Sequence, residues 1–492
     1  MFVRESCQSL LPINRSCSVT TDVSNLYARR RKLVMLRYRQ VLSMLVLLSL
    51  LLMLSACTAP VAPGAPAPSA SDTAAPVVTW YYYDQDNTDP EANERVGNFY
   101  LAETIPQFNE EFVGQYRWVN VPRDYNLVLD LVAAVQNNGD VPDIMRTGTA
   151  DLPTFLLNNT VQDITDYVTN APWYADLDPK AVEACTGPDG KLYCVPVSES
   201  PYLVYFWTDL YPEGFPKTTD AFLAKAAELK ADENFALTYW GSTAFDGEGA
   251  GRYYYQVISS FGGSYDDGQG NMRLNTPENV AAVEFMREIV ANGYSPEAAF
   301  VGNFEEEASF KDGLAGAFPT GFYIGYQYLN PLKSPTGQEF NTVSAQDMED
   351  AVNTGVMGLA PIFAPEGATP GCHMDVFGFV IPNGAKNVEG AKAYIDWIMQ
   401  QERAVQWVLR AGGGVPVASS VREDPAFQTD IFKQGAAALE ASDCKPWYGS
   451  LTRIAEAKKL ITETMFNLLK GNPDADIAAA LAATEAEYNS NN

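Results

Sequence analysis

The residue most clearly placed for chemistry is Cys57, a thiol that directly follows Leu-Ser-Ala. An uncharged apolar run covers 41–54, and a basic cluster over 29–39 precedes it. Basic, apolar and then small residues, in that order, predict a secretory signal. The apolar run is shorter than the ~20 residues that cross a bilayer as a helix, although an uncleaved N-terminal anchor is an alternative interpretation.

Residues 54–57 resemble the lipobox of bacterial lipoproteins, in which the cysteine is acylated and becomes the mature N-terminus. The resemblance implies a lipid on Cys57 and an exported chain at the outer face of the cytoplasmic membrane, periplasmic or on the cell surface. Residues 1–56 are then an N-terminal extension and signal peptide. The stretch 57–76 is rich in Ala, Pro and Ser, which cannot build a core and predict an extended tether.

Four further cysteines follow in the exported part: Cys185, Cys194, Cys372 and Cys444. An even number of cysteines in an exported chain predicts disulfides, and four cysteines allow three pairings. Because Cys185 and Cys194 flank the turn-rich stretch Thr-Gly-Pro-Asp-Gly, we predict the pairs Cys185–Cys194 and Cys372–Cys444. A metal site is not predicted, since no Cys-x-x-Cys occurs and His373 is the only histidine.

Composition and motifs argue against several functions. Acidic residues outnumber basic ones by 61 to 33, for a net charge of −28, which disfavours nucleic acid as a partner. Neither Gly-x-Ser-x-Gly nor His-Glu-x-x-His occurs, and the acidic run over 84–89 has Asp89 where an EF-hand needs Gly. We predict no catalysis and no cofactor. A glycan-active enzyme with paired carboxylates stays as the less favoured alternative.

Behind the tether, short apolar segments alternate with amphipathic ones. Residues of high β-propensity predict strands over 77–83, 116–121, 141–145 and 235–240. Apolar spacing and capping residues predict helices over 92–112, 125–137, 218–230, 276–292, 387–400, 446–469 and 475–488. Repeated strand–helix units predict an α/β fold with mostly parallel sheets flanked by helices, and the length suggests two domains.

Several motifs, in order, resemble the family 1 extracellular solute-binding proteins of bacterial ABC importers, the group that includes maltodextrin-binding protein. Residues 139–144 (GDVPDI) resemble the family's Gly-x-x-Pro-Asp-Ile. Residues 189–196 (DGKLYCVP) resemble Asp-Gly-Lys-x-Tyr-Gly-x-Pro, with Cys194 replacing Gly. Residues 310–322 (FKDGLAGAFPTGF) are similar to Phe-x-x-Gly-x-Ala-Ala-Met…Gly-x-Trp. The similarity extends over 77–490.

The resemblance implies a two-lobed, periplasmic-binding-protein-like fold, joined by crossing hinge segments, with the ligand between the lobes. Lobe 1 would comprise 77–198 with 379–420, and lobe 2 would comprise 204–374 with 425–492. Each predicted disulfide then lies within one lobe. The implied ligand is a mono- or oligosaccharide, the implied partners are ABC permease subunits, and the protein is expected to be a monomer that touches the membrane only through its lipid.

A sugar site needs flat aromatic surfaces and planar polar groups near the carboxyl ends of strands. Arg146 follows the 141–145 strand and could clamp a ligand, Trp240 is the leading stacking candidate, and Phe322 occupies a position where the family often has Trp. The full set of predicted ligand-binding residues is Tyr83, Asp84, Arg146, Trp240, Phe322, Tyr323, Asp375 and Trp447. A polyamine, another cation or iron is the alternative ligand, since acidic charge and aromatic rings also suit a cation.

Overall fold

The structure, a computed structural model, describes residues 74–81, 96–123 and 127–490. The signal, Cys57 and most of the tether lie outside these residues, as do Tyr83 and Asp84, so their predicted roles stay predictions. Within the described ranges, no helix is both long enough and apolar enough to cross a membrane.

The described part of the chain forms eleven strands and seventeen α-helices. In chain order, the strands are β1 Ala75–Tyr81, β2 Tyr116–Pro122, β3 Ile144–Gly148, β4 Val195–Trp207, β5 Ala317–Gly321, β6 Leu332–Lys333, β7 Glu339–Phe340, β8 Met357–Ala360, β9 Gly371–Val380, β10 Val415–Pro416 and β11 Asp443–Lys445. The helices are α1 Val96–Glu111, α2 Leu127–Gln136, α3 Leu152–Leu157, α4 Thr165–Thr169, α5 Pro179–Ala184, α6 Thr219–Ala231, α7 Glu248–Ser260, α8 Pro277–Ala291, α9 Glu305–Lys311, α10 Phe322–Tyr328, α11 Ala345–Asn353, α12 Val388–Ile398, α13 Gln401–Trp407, α14 Ser419–Arg422, α15 Asp430–Glu440, α16 Ile454–Phe466 and α17 Ile477–Asn489.

Local sequence explains several helix starts. In α8 the Thr276 hydroxyl accepts a hydrogen bond from the N–H of Asn279, and Pro277 occupies the first turn, where its missing N–H costs nothing. In α6 the side chain of Thr218 caps the helix in the same way. The helix predicted over 446–469 instead begins at Ile454, because 446–453 forms turns.

The first lobe is built on the sheet order β2–β1–β3–β9–β4–β10. Strand β1 pairs parallel with β2 and β3, whereas β3 with β9, β9 with β4 and β4 with β10 pair antiparallel. In the second lobe, β4 pairs antiparallel with β5 and β8, and β9 pairs parallel with β11. The predicted α/β fold is confirmed, but the sheet is mixed rather than mostly parallel because the two long strands β4 and β9 run in opposite directions.

The strand predicted over 235–240 does not form. Its backbone N–H groups donate to carbonyls of two different segments. The N–H of Ala236 donates to the carbonyl of Tyr294, and that of Thr238 donates to the carbonyl of Ala317 on β5. Without a continuous ladder, the segment makes only a single bridge, between Phe235 and Ala315. It lies beside β5 as irregular chain.

Both predicted disulfides, Cys185–Cys194 and Cys372–Cys444, are present. Cys444 lies directly opposite Cys372 in the parallel pairing of β11 with β9. The second bridge therefore holds the beginning of β9 against a neighbouring strand of the second lobe. The first bridge closes a short loop beside the beginning of β4.

Candidate functional site

Strands β4 and β9 pass from one lobe to the other. Their mutual pairing ends where Ser200 faces Asp375 and Pro201 faces Met374. Beyond that point β4 pairs with the second-lobe strands β5 and β8. These two strands are therefore the hinge segments of the molecule, and the side chains at their crossing lie where the lobes meet.

One face of this crossing carries Ser198, Ser200, Asp375 and Phe377, which we call the hinge face. Ser198 is paired with Phe377 and Ser200 with Asp375, and paired residues on neighbouring strands project to the same side of a sheet. The residue between the two serines, Glu199, projects to the opposite side. The hinge face therefore combines two hydroxyls, a carboxylate and an aromatic ring.

Arg146 lies beside the hinge face on strand β3 and is surrounded by aromatic rings. Its guanidinium carbon is 4.6 Å from the ring centre of Phe377 and 5.7 Å from those of Tyr323 and Trp407. Only 8% of Arg146 is exposed. A guanidinium held by ring faces keeps its orientation and its charge, so Arg146 can present a fixed cation to the cleft.

Tyr323 joins helix α10 of the second lobe to the hinge. Its backbone N–H donates to Ser200 Oγ at 3.1 Å, and its hydroxyl lies 2.8 Å from that of Tyr328. Its ring also packs directly on Gly413, where a β-carbon would collide with the tyrosine ring. Gly413 has φ +65°, so both the conformation and the close approach require glycine there.

Asp375 is buried in an ion pair. Its carboxylate lies 2.9 Å from Arg252 Nη2 and 3.1 Å from His373 Nε2. Burial alone would raise the pKa of Asp375, but the charge of the Arg252 guanidinium and the adjacent His373 ring outweigh it and lower the pKa to about 2. His373 Nδ1 accepts the backbone N–H of Trp447 at 3.2 Å, which places the ring proton on Nε2, facing Asp375.

The side chains of Tyr448 and Thr149 interact close to Asp375. Burial raises the pKa of the Tyr448 hydroxyl, with the nearby Thr149 side chain acting in the opposite sense and Asp375 adding to the rise. Thr149 follows β3 of the first lobe, whereas Tyr448 precedes α16 of the second. Polar groups of both lobes thus face each other across the hinge.

The other predicted site residues are packed more deeply than their sequence context indicated. Trp240 is 9% exposed, and its indole N–H donates to Thr320 Oγ1 at 3.2 Å. Phe322 has no exposed surface and packs on Phe432, with ring centres 5.2 Å apart. Trp447 is also buried. Phe322 therefore belongs to the core, and its neighbour Tyr323 carries the aromatic surface at the hinge.

Sequence reasoning missed Arg252 and the hinge serines. Arg252 stands between a glycine-rich stretch and the tyrosines 253–255 of α7, whose side chains are buried. The sequence signal for Arg252 was a single basic residue within a helix of largely uncharged residues. Its partner could not be predicted, because Asp375 is distant in the sequence. Among the residues the structure describes, no cluster of three or more His, Cys, Asp or Glu side chains could hold a metal ion.

Comparison with known sequences identifies a family. Residues 103–434 match the family model described as bacterial extracellular solute-binding protein. A protein of Brucella abortus (strain 2308), named only as a binding protein, is 21% identical over 403 residues, which cover 79% of this chain and 91% of that one.

Comparison with solved structures supports the fold. Maltose-bound MalE3 of T. maritima superposes with a TM-score of 0.67 at 18% identity, covering 85% of this chain and all of that one. The GacH receptor of Streptomyces glaucescens, solved without ligand and with acarbose, gives 0.66 at 18% identity over 85% and 98% of the two chains. A solute-binding protein of Agrobacterium radiobacter in complex with ribitol gives 0.66 at 18% identity over 86% and 100%. At such identities the likeness establishes a shared fold.

Proposed function

Because the chain belongs to the bacterial extracellular solute-binding proteins, we propose that it is the solute-binding component of an ABC importer and binds a carbohydrate between its lobes. The observation that carries the proposal is the hinge face, where Arg146, Tyr323 and Phe377 stand beside Asp375 and two serine hydroxyls. The function requires binding and release and no chemical step.

The chemistry of the hinge face suits a sugar. A sugar ring has two apolar faces edged by hydroxyls, so it packs on aromatic rings and exchanges hydrogen bonds at its rim. Tyr323 and Phe377 supply the rings, with centres 5.7 Å apart and planes inclined at 65°. Arg146 supplies donors, and Ser200 can both donate and accept. The ligands of the structural neighbours, which include maltose, acarbose and ribitol, support a carbohydrate or polyol.

Lobe closure about β4 and β9 would trap the ligand, and the closed form would be the one presented to the permease. We propose the lobes as 77–198 with 379–420 and 204–374 with 425–492. With these boundaries each disulfide holds one lobe together and neither bridge restrains the hinge. The permease subunits as partners and a monomeric state are part of the same proposal.

We further propose that Cys57 carries the lipid and that 57–76 tether the two lobes to the membrane surface. A Cys57→Ala chain should lose incorporation of labelled palmitate and appear in the soluble extracellular or periplasmic fraction. A variant that stays with the membrane without label would instead support an uncleaved anchor.

The ligand class is tested by calorimetric titration of the purified protein with maltose, acarbose, tagatose, ribitol, spermidine and ferric citrate. Binding of a carbohydrate that is weakened in Phe377→Ala supports the proposal. Binding of spermidine or ferric citrate alone would replace the carbohydrate with a cation. Release of a shortened glycan from a bound oligosaccharide would show an enzyme instead.

A further inference from the structure

Helix α13 ends in a π turn. Residues Val408–Gly412 follow α13 without a break and form this turn, which we call the π turn. The N–H of Gly413 donates to the carbonyl of Val408 at 2.8 Å, five residues back instead of the four of an α-helix. The last carbonyls of a helix lack partners within it, so they can accept hydrogen bonds from other elements. Turns of this kind are frequent at functional sites.

The π turn is held by elements of the first lobe. Arg410 forms an ion pair with Glu103 on α1, and Ala411 is buried. Directly after the turn, Val415 pairs with Glu199 where β10 joins the first-lobe sheet through β4. The position of the π turn is therefore set by the first lobe.

Helix α10, in contrast, is fixed to the second lobe. The carbonyl of Phe322 accepts a hydrogen bond from the Tyr205 hydroxyl at 3.1 Å, in the part of β4 that pairs with β5 and β8. The Tyr326 hydroxyl donates to Glu349 on α11 at 3.0 Å. The Tyr326 ring also packs on Phe432 of α15, with ring centres 5.2 Å apart. We therefore expect α10 to move with the second lobe.

Gln327 joins α10 to the π turn. Its amide nitrogen donates to the carbonyl of Leu409 at 2.8 Å and lies 3.4 Å from that of Val408. Only 2% of Gln327 is exposed, so this contact is shielded from water. Tyr323, one turn earlier on the same face of α10, packs on Gly413 at the end of the π turn. The orientation of Tyr323 is thus fixed together with the contact of Gln327.

We propose that Gln327 is a positioning residue for ligand binding, whose amide joins the two lobes in the closed form and holds Tyr323 towards the hinge face. Because the two ends of the contact are fixed to different lobes, rotation about β4 and β9 breaks it. Opening exposes the amide and the Leu409 carbonyl to water, and closing pairs them again. The inference rests on the proposed solute-binding function and adds a residue that controls closure without touching the ligand.

The first experiment needs no ligand. Gln327→Met keeps the length of the side chain but removes the donor. In hydrogen–deuterium exchange of the ligand-free full chain, the Gly413 N–H should exchange about fivefold faster in this variant, because the closed form loses one hydrogen bond. The exchange is followed by mass spectrometry of the peptide that contains the π turn.

Gln256→Met is the matched control. Gln256 is also buried and donates to a backbone carbonyl, that of Tyr202, at the same distance of 2.8 Å. Tyr202 pairs with Gly321 on β5, so this bond stays on the second-lobe side. The control loses the same kind of bond, but exchange at the π turn should match that of the parent. Urea titration of both variants measures the loss of stability that they share.

The second experiment measures ligand release. Stopped-flow tryptophan fluorescence with maltose and tagatose gives the association and dissociation rates separately. A weaker closed form releases its ligand faster, so Gln327→Met should raise the dissociation rate about fivefold and leave the association rate unchanged. Gln256→Met should change neither rate. A purely structural role of Gln327 would lower stability without this separation of the two rates.

The outcomes distinguish this inference from the proposed function. Equal exchange at the π turn in Gln327→Met and Gln256→Met would show that the contact does not depend on closure, and the inference would be wrong. Faster release with unchanged exchange would mean that Gln327 acts on the ligand directly, which also overturns it. If no carbohydrate binds the parent, the proposed ligand class fails, and the exchange measurement still decides whether Gln327 joins the lobes.

Discussion

Aromatic rings gather in two regions of this molecule, and the two regions differ in how their polar neighbours are used. In the first lobe, Phe108, Trp118, Tyr394 and Trp397 are buried with ring centres 4.7 to 6.4 Å apart. The indole N–H of Trp118 donates to Thr79 at 2.9 Å, and that of Trp397 donates to Glu111 at 2.8 Å. Both indole N–H groups of this cluster therefore have acceptors within the described structure.

At the hinge, Tyr323 and Phe377 are only half-buried, and they surround the cation of Arg146. The charged pair of Arg252 and Asp375 lies on the same side of β9. The rings of the first-lobe cluster are fully packed. The hinge rings, in contrast, remain partly exposed and lie beside charged side chains, so a ligand can contact both. Aromatic content alone therefore does not mark a binding site; the exposure of the rings and the charges beside them do.

The strongest effect should come from the core cluster. Trp118→Ala leaves a cavity in a fully packed region and should lower the free energy of unfolding by about 3–5 kcal/mol in a urea titration. Carbohydrate affinity of the folded fraction should not change. Trp173→Ala is the control, since Trp173 is a half-buried tryptophan of the same lobe and should cost much less. Weakened binding with unchanged stability would contradict the assignment of Trp118 to the core.

Asp375→Asn tests the buried ion pair at the hinge. Removing the carboxylate leaves Arg252 buried without its counter-charge, which should cost about 3 kcal/mol at pH 7. Because the folded pKa of Asp375 is lowered to about 2, its stabilisation is complete above the unfolded pKa near 4 and is lost as the pH falls through 2.

The difference in unfolding free energy between the parent and Asp375→Asn should therefore shrink between pH 4 and pH 2. Asp140→Asn, which removes an exposed ion pair with Lys386, should show little effect at any pH. A pH-independent difference for Asp375→Asn would show that the carboxylate acts through packing alone.

Glu199, on the opposite side of β4 from the hinge serines, should respond to pH in the reverse direction. Burial raises its folded pKa to about 7, against the opposing charge of Arg422. The folded protein then binds a proton that the unfolded chain releases above its pKa near 4.5, so stability falls as the pH rises from 4.5 to 7. Glu199→Gln should flatten this decline and be more stable than the parent by about 3 kcal/mol at pH 8.

Chemical denaturation across pH 4.5 to 8 measures the effect of Glu199. The control is Glu402→Gln at an exposed position of α13. Identical pH profiles for the parent and Glu199→Gln would mean that Glu199 is ionised in the folded protein throughout this range.

The substitution with the smallest expected effect on stability compares an arginine at the hinge with an arginine at the first-lobe cluster. Arg146→Lys keeps a positive charge but loses the planar group that lies over the rings, so carbohydrate binding should weaken about tenfold with little change in stability. Arg403→Lys is the matched control, because Arg403 lies 4.2 Å over the ring of Trp397, away from the hinge. Equal carbohydrate affinities of Arg146→Lys and Arg403→Lys would show that Arg146 does not contact the ligand.

Much of the fold could be predicted because its signals are local. Helix α8 begins within one residue of its predicted start, since Thr276 and Pro277 fix it through neighbouring atoms. The pairing of Cys185 with Cys194 also follows from a short turn-rich loop. The segment 235–240 has the composition of a strand but does not become one, because its hydrogen-bond partners come from two different parts of the second lobe.

The candidate site was only partly predictable. Arg146, Tyr323 and Asp375 lie at the hinge, whereas Phe322 lies in the core, although it is the immediate neighbour of Tyr323. Successive helix residues point in directions about 100° apart, and which of them faces the hinge depends on how the whole helix docks. Arg252 and Ser200 gave no local signal because their roles depend on partners far along the chain.

The order of residues was enough to set the periodicity of the elements, the caps that begin the helices and the number of cysteines available for bridges, since each depends on residues a few positions apart. It also carried the motifs that identify the family. Long-range packing set the rest: β4 and β9 cross in opposite directions, Arg146 lies among three rings, and Phe304 remains exposed beside Trp240. These features depend on contacts between segments that are distant in the sequence. Which side chains are buried and which charges are paired is decided only when those segments pack together.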